Sequence, residues 1–257
     1  MTSPVAVSFN REGTRAAFRL FHPKGNILTA AMVEALQAAL ESIEQNPHLK
    51  LITIAGEGPD FSFGASVPEH APGEIDRVLP AMHALIERLL DAPAVTAAVV
   101  RGRCLGGGFE LALACDFIFA ASGAVMGLPE IALGVFPPAA SALLPLRIGA
   151  ARATRAIVTG EARPAEDWRS MGLVEFVAPD GSLDAEVDRW YDRHLAARSA
   201  AALRHAAAAA RSSIAAHVRQ TLPELERQYL KELMGTADAA EGIAAFLEKR
   251  TPRWTDR

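Results

Sequence analysis

Short runs of alternating apolar and polar residues open the chain. Val5 to Phe9 and Ala16 to Phe21 read as strands on either side of the polar turn Asn10-Arg11-Glu12-Gly13, which predicts a first hairpin. Thr29 is placed to cap a helix running to about Glu44, Leu49 to Ala55 reads as a buried strand, and Gly56-Glu57-Gly58-Pro59-Asp60 ends it in a loop. Between Gly73 and Leu90 the apolar residues Ile75, Val78, Leu79, Met82, Leu85, Ile86 and Leu89 fall at helical spacing. Val95 to Val100 is an almost unbroken apolar strand of the kind covered on both faces. Phe117 to Ala120 and Ala124 to Met126 predict further short strands, and a helix is expected from about Ser141 to Ile148. Strands alternating with helices imply a layered α/β architecture. Beyond about Ala150 the composition turns to Ala, Arg and Glu, with few strand signals besides Val174 to Val177 and with helices expected at 183–197, 199–218 and 222–233. That set is too small for a core of its own, so it is expected to pack on the first part of the chain or on a neighbouring subunit.

The strand ending at Val100 delivers the chain to Gly106-Gly107-Gly108, which run into the apolar helical stretch Phe109-Glu110-Leu111-Ala112-Leu113-Ala114-Cys115. A glycine-rich helix entry leaves backbone N–H groups unpaired at the positive end of the helix dipole, where they can hold an oxyanion. Without Cβ atoms, a ligand can come close to that backbone. Glu110 has Gly106, Gly107, Leu113 and Ala114 as its helical neighbours and no cation among them, which turns it inward; the alternative is a solvated surface Glu. Glu130, in Met126-Gly127-Leu128-Pro129-Glu130-Ile131-Ala132-Leu133, is again a solitary acid among apolar residues, following a Pro suited to open a short helix. Two isolated acids in apolar settings point to a paired acid and base.

Composition narrows the field. With 257 residues the chain can bury a sizeable core, and a net charge of −4, from 26 Lys+Arg against 30 Asp+Glu, gives no general case for nucleic acid. No apolar run reaches the roughly 18 residues of a membrane span and the first residues carry no signal-peptide pattern, so a soluble, cytoplasmic protein is expected. Cys104 and Cys115, eleven residues apart with no CxxC, indicate neither a disulfide framework nor a metal site; both read as small packing residues. The charge run Arg152, Arg155, Glu161, Arg163 reads as a solvated face.

LGGGFELALACD at 105–116, FSFGAS at 61–66 and PEIALGVFP at 129–137 together resemble the crotonase (enoyl-CoA hydratase/isomerase) superfamily, and the likeness spans nearly the whole chain. The resemblance implies an α/β fold: a crotonase-like ββα spiral core, placed at residues 1–195, and a C-terminal helical trimerisation region at 196–257, assembled as a homotrimer or a dimer of trimers. It implies an acyl-CoA thioester substrate and no other cofactor. The thioester oxygen would accept hydrogen bonds from the backbone N–H groups of Ala65 and Gly107, and Glu110 and Glu130, twenty residues apart, map onto the two glutamates of the hydratases. Glu110 is then expected to activate water and Glu130 to donate a proton to carbon, the two titrating as a coupled pair. CoA contacts map to Lys24, Phe246 and Lys249, although both lysines read equally well as ordinary surface residues.

Two departures stand out. Ser66 replaces the Asp that usually follows Gly-Ala, and Pro137-Pro138-Ala139-Ala140-Ser141 replaces a glycine-rich turn, so that Pro138 removes one backbone donor. With FSFGASVPEH at 61–70 and LGVFPPAAS at 133–141, these are similar to the cyclohexa-1,5-dienecarbonyl-CoA hydratase branch of anaerobic benzoyl-CoA breakdown. That branch implies 1,4-addition of water to a cyclic dienoyl-CoA. A general short-chain enoyl-CoA hydratase, an acyl-CoA hydrolase on the same scaffold and a non-catalytic acyl-CoA-binding trimer are the rival readings. Glu69 and His70 are adjacent in a loop and are not expected to face one another.

Overall fold

A computed structural model describes residues 3–71 and 73–257. The hairpin forms as β1 (Val5–Asn10) and β2 (Arg15–Leu20), paired antiparallel. Helix α1 (Ala30–Ile43) follows, its Thr29 cap accepting from the Met32 N–H at 3.2 Å. Next come β3 (Leu51–Gly56), α2 (Ile75–Leu90), β4 (Val95–Val100), β5 (Arg103–Leu105), α3 (Gly107–Leu113), β6 (Phe117–Ala121) and β7 (Val125–Gly127). The chain continues through α4 (Pro138–Ile148), α5 (Ala150–Thr159), β8 (Arg163–Pro164), α6 (Ala165–Ser170), β9 (Phe176–Ala178), α7 (Leu183–His194), α8 (Ala200–Arg227) and α9 (Ala237–Leu247).

A six-stranded sheet in the order β1-β2-β3-β4-β6-β9 is parallel throughout except for the first hairpin; β5, β7 and β8 form a second, three-stranded sheet. β3 and β4 are buried along their whole length because both faces are covered. Ile52, Ile54, Ala98 and Val100 turn toward the main core with α1 to α4, while Leu51, Val95, Ala97 and Val99 turn toward Leu183, Val187 and Tyr191 of α7.

The C-terminal helices differ from the sequence expectation. Positions 199–218 and 222–233 form one continuous helix, α8, that passes through Pro223 and ends in a π-helical turn at Gln228–Leu233. Pro223 deprives one carbonyl of its partner, but the stripe Arg211, Ala215, Val218 and Leu222 is buried against the main core and carries the helix past it. Arg211 fastens that stripe: its guanidinium donates to Asp116 Oδ1 (2.7 Å), Asp116 Oδ2 (2.5 Å) and the carbonyls of Ala92 (2.8 Å) and Ala94 (2.6 Å). α5, α6 and α9 were not legible as helices, and α4 begins at Pro138 rather than Ser141, since Pro needs no N–H acceptor at the first helical position.

Candidate active site

The loop at 61–66 is held from below by Asn26. Its amide donates to the carbonyls of Glu57 and Asp60 (both 2.9 Å), and its own carbonyl accepts from the buried Ser62 hydroxyl (2.7 Å). Gly64 sits at φ +100°, and a Cβ there would lie 2.8 Å from the Leu105 carbonyl oxygen and 3.4 Å from the Gly107 nitrogen. This close approach brings Ala65 against the start of α3: a Cβ on Gly107 would lie 3.3 Å from the Ala65 nitrogen. The Leu28 N–H donates to the Gly64 carbonyl and the Ser66 N–H to Leu28, so the Ala65 N–H between them turns the other way. Among the described residues, neither the Ala65 nor the Gly107 N–H has a protein acceptor. Two adjacent unpaired donors, one at a helix start, make an anion-binding concavity.

Gly106 joins the two carboxyls. At φ +51° it accepts the Glu110 N–H on its carbonyl (2.9 Å), and a Cβ on it would meet Glu130 Oε1 at 2.6 Å. Only glycine allows the backbone this conformation with a carboxylate pressed on its α-carbon.

The two acids differ in surroundings. Glu110 is buried on α3, and its Oε1 accepts the Ala140 N–H from the first turn of α4 at 2.9 Å. Burial pushes its pKa up; the Ala140 N–H, the charge of His83 and the Ala139 N–H pull it back, in that order. Glu130 lies on a short 3₁₀ segment, Pro129–Leu133. As a whole residue it is half-buried, but Oε2 is shut away with no hydrogen-bond partner among the described residues. Burial, then the charge of Glu110, push its pKa up to about 8. Burial raises both carboxyls above the ordinary carboxylate range, and only Glu110 has donors from the first turn of α4 that offset it, so the two titrate as an unequal, coupled pair.

Pro138 gives α4 a first position without an N–H, and the next donors on the turn serve Glu110. Ser66 caps the segment Val67–His70 with its backbone alone. Glu69 accepts the Ala30 N–H at the start of α1 (3.0 Å), and His70 Nδ1 bonds the Ser66 carbonyl (2.9 Å), so the two side chains serve different backbone partners. Lys24 lies exposed on the loop before Asn26, and Phe246 and Lys249 are exposed on and just after α9. α9 itself packs on the Glu130 segment, where a Cβ on Gly242 would overlap the Leu133 carbonyl. Both cysteines are buried free thiols, with the Cys115 pKa pushed up to about 12 by burial. Arg155 and Arg163 pair with Glu161 at 3.5 and 2.6 Å on the surface. Among the described residues no group of three His, Cys, Asp or Glu is arranged to hold a metal, and no helix is long and apolar enough to cross a membrane.

Two residues beside the acids escaped the sequence reading. His83 lies on the buried side of α2 with Nδ1 2.6 Å from Glu226 Oε2. Its signal was a lone polar residue on the apolar face that runs from Ile75 to Leu89. Tyr229 is buried in the π-helical turn, 5.5 Å from Phe136 between ring centres; burial, then the charges of Glu110 and Glu130, raise its pKa. π-turns recur at functional sites, but nothing local in the sequence announces one.

The profile of the family described as enoyl-CoA hydratase/isomerase matches residues 11–257. A cyclohexa-1,5-dienecarbonyl-CoA hydratase of Thauera aromatica is 43% identical over 256 residues, covering 100% of this chain and 98% of that one. A 2,3-dehydroadipyl-CoA hydratase of Escherichia coli is 33% identical over 237 residues, 90% of this chain and 91% of its own. The crystal structure of an enoyl-CoA hydratase from Mycobacterium avium subsp. paratuberculosis superposes with a TM-score of 0.88 at 28% identity, covering both chains fully. The fold is therefore the α/β crotonase fold with C-terminal helices, and the chain is an enzyme of the enoyl-CoA hydratase/isomerase family.

Proposed function

We propose that this protein adds water reversibly to an unsaturated acyl-CoA thioester, and that its substrate is cyclohexa-1,5-diene-1-carbonyl-CoA, hydrated 1,4 to 6-hydroxycyclohex-1-ene-1-carbonyl-CoA. The observation that carries the hydration is the pair of unlike carboxyls joined at Gly106 beside two unpaired N–H groups. Glu110 takes a proton from water as the water oxygen bonds to the β-carbon. The displaced electron pair moves through the diene onto the thioester oxygen, which the Ala65 and Gly107 N–H groups hold. Glu130 then gives its proton to the far end of the diene. The proton left on Glu110 passes back to Glu130 and restores the starting state. Acid–base catalysis by each carboxyl contributes typically ~10²–10⁴ in rate, and an oxyanion donor ~10²–10³. The cyclic substrate rests on the full-length likeness to the Thauera enzyme.

Lys24, Phe246 and Lys249 are assigned to CoA, a compact ammonium suiting a phosphate. The assembly is a homotrimer or a dimer of trimers built through the region 196–257; light scattering on the purified protein reports the copy number directly. Exposed Ile131, Leu146 and Val158 offer apolar area for contact between copies.

A substrate panel tests the reaction. With cyclohexa-1,5-diene-1-carbonyl-CoA the product gains the mass of one water and the dienoyl absorbance falls, faster than crotonyl-CoA is turned over. A strong preference for crotonyl-CoA overturns the cyclic substrate and leaves hydration standing. Release of free CoA, seen with a thiol reagent, overturns hydration in favour of thioester hydrolysis.

A further inference from the structure

The stretch 250–257, beyond α9, has no task in the mechanism above, yet two carboxylates of α9 hold it firmly. Glu241 accepts the Arg253 N–H at 2.7 Å and both terminal nitrogens of Arg250 at 2.6 and 2.8 Å. One turn earlier, Asp238 accepts the Thr255 N–H at 2.7 Å, the Thr255 hydroxyl at 3.0 Å and the Asp256 N–H at 2.7 Å. Its own N–H donates to the Arg257 carbonyl at 3.1 Å. Residues three apart share a helix face, and hydrogen bonds to a carboxylate are among the strong ones, so the backbone is pinned on either side of Trp254.

The ring of Trp254 is thereby set into a notch made by two glycines. A Cβ on Gly242 of α9 would lie 3.0 Å from Cη2, and one on Gly134 would lie 3.2 Å from Cζ3 and 2.9 Å from the Asp238 carbonyl oxygen. Gly134, at φ +70°, closes the 3₁₀ turn that carries Glu130: its N–H donates to the Ile131 carbonyl at 3.1 Å, and the Val135 N–H donates to the Glu130 carbonyl at 3.3 Å. The ring, α9 and this turn therefore meet in one contact. On the other flank of the turn, a Cβ on Gly160 would press on Ile131 at 2.8 Å. Glu110 is held by the Ala140 N–H, whereas Glu130 Oε2 has no such bond among the described residues. The place of the Glu130 carboxyl thus depends on the place of its turn.

We propose that Trp254 is a positioning residue for hydration: clamped by Asp238 and Glu241, its ring holds the Glu130 turn against α9 and so keeps the Glu130 carboxyl at its place beside Gly106. The proposal rests on the carboxyl-pair mechanism above. Trp254 acts through the backbone at Gly134 and not on the reacting atoms. It is 44% exposed and stands outside the packed cores, so its replacement leaves the rest of the fold in place.

A stretch that only steadies α9 would change stability, or KM through Phe246 and Lys249, and leave kcat alone, which gives the test. Both constants are measured on the thioester the wild type hydrates, for wild type, Trp254→Ala, Trp254→Phe, Asp238→Ala, Glu130→Gln and Trp254→Ala combined with Glu130→Gln. Trp254→Ala lowers kcat about tenfold with KM near wild type, the order of loss expected when a reacting group is displaced by a fraction of an ångström. Asp238→Ala, which releases Thr255 and Asp256, does the same, and Trp254→Phe, which keeps a ring in the notch, recovers part of the loss. In the Glu130→Gln background Trp254→Ala costs nothing further, because the group it positions has no proton to give. Asp238→Ala suffices if Trp254→Ala does not fold. An unchanged kcat in a folded Trp254→Ala or Asp238→Ala, a loss confined to KM, or an equal loss in the Glu130→Gln background overturns the role of Trp254 and leaves the carboxyl pair standing. Wild-type turnover by Glu130→Gln removes the carboxyl-pair mechanism itself.

Discussion

Glu110 faces the first turn of α4 and accepts its Ala140 N–H, whereas Glu130 lies on a 3₁₀ turn with Oε2 buried and without a hydrogen-bond partner among the described residues. The same side chain is thus placed in two settings within one site. Around Glu110, the N–H groups of Ala140 and Ala139 offset part of the cost of removing charge from water. Around Glu130 only its own backbone N–H does, and the neighbouring Glu110 adds repulsion. The difference teaches that the acid–base division is written in the neighbouring backbone as much as in the two glutamates.

The strongest way to break this comparison is to neutralise each acid in turn. Glu110→Gln is expected to lower kcat by ~10²–10⁴ with thioester affinity largely kept, because the base acts in the transition state. Glu130→Gln is expected to fall in the same range, since Gln can fill the space of a protonated acid but cannot give up a proton. Steady-state kinetics with separately measured binding check both. Equal, wild-type rates in either variant would remove that residue from the chemistry.

A subtler disturbance leaves both acids in place. Gly106→Ala puts a Cβ 2.6 Å from Glu130 Oε1 at a residue held at φ +51°. The carboxyl has to shift, and kcat is expected to drop by ~10²-fold, as for small displacements of reacting groups. Stability falls by about 1 kcal/mol from the strained backbone. A smaller change is expected from Ala140→Pro, which removes the N–H given to Glu110. α4 tolerates Pro there because the N–H groups of a first turn have no helical acceptor. A hydrogen bond to a charged group is worth about 1.5–3 kcal/mol, so the acid limb of kcat/KM should rise by roughly one to two pH units.

How much of this was legible beforehand follows from which interactions are local. The hairpin, α1, β3, α2 and β4 could be read because their apolar spacing reflects faces that are in fact covered. Glu110 and Glu130 could be singled out because each is a lone charge in an apolar run. What could not be read depends on long-range partners. The Ala140 donor, thirty positions from Glu110, and the Glu226 partner of His83 come from elements whose docking no local pattern states. The sequence pattern ends one helix at 218 and opens the next at 222, whereas burial of Ala215, Val218 and Leu222 along one face carries α8 through the gap. The likeness to a family placed Ala65 and Gly107 in one site, but the tight approach of Gly64 to Leu105 that makes their N–H groups neighbours is visible only in three dimensions.

The smallest expected effect is on the pH dependence of stability, read at Glu130. Glu130 has a folded pKa raised from 4.5 to about 8. Below about pH 4.5 it is protonated in both folded and unfolded chains and costs nothing. Between that pH and about 8 the unfolded chain ionises and the folded one does not, so stability drains away as pH rises, and above 8 the loss is complete. Glu130→Gln carries no proton to lose. Its Tm relative to wild type should therefore climb from pH 5 to pH 9, ending several °C higher, since about 1 kcal/mol moves Tm by roughly 2–4 °C at this size. In a Glu110→Gln background the second cause of the raised pKa is gone, so the climb, still beginning near pH 4.5, should be smaller and end at a lower pH. Scanning calorimetry at matched protein concentration reads both differences. A Tm gap independent of pH would mean that Glu130 titrates like an ordinary solvated acid, and the contrast between the two carboxyls would have to come from Glu110 alone.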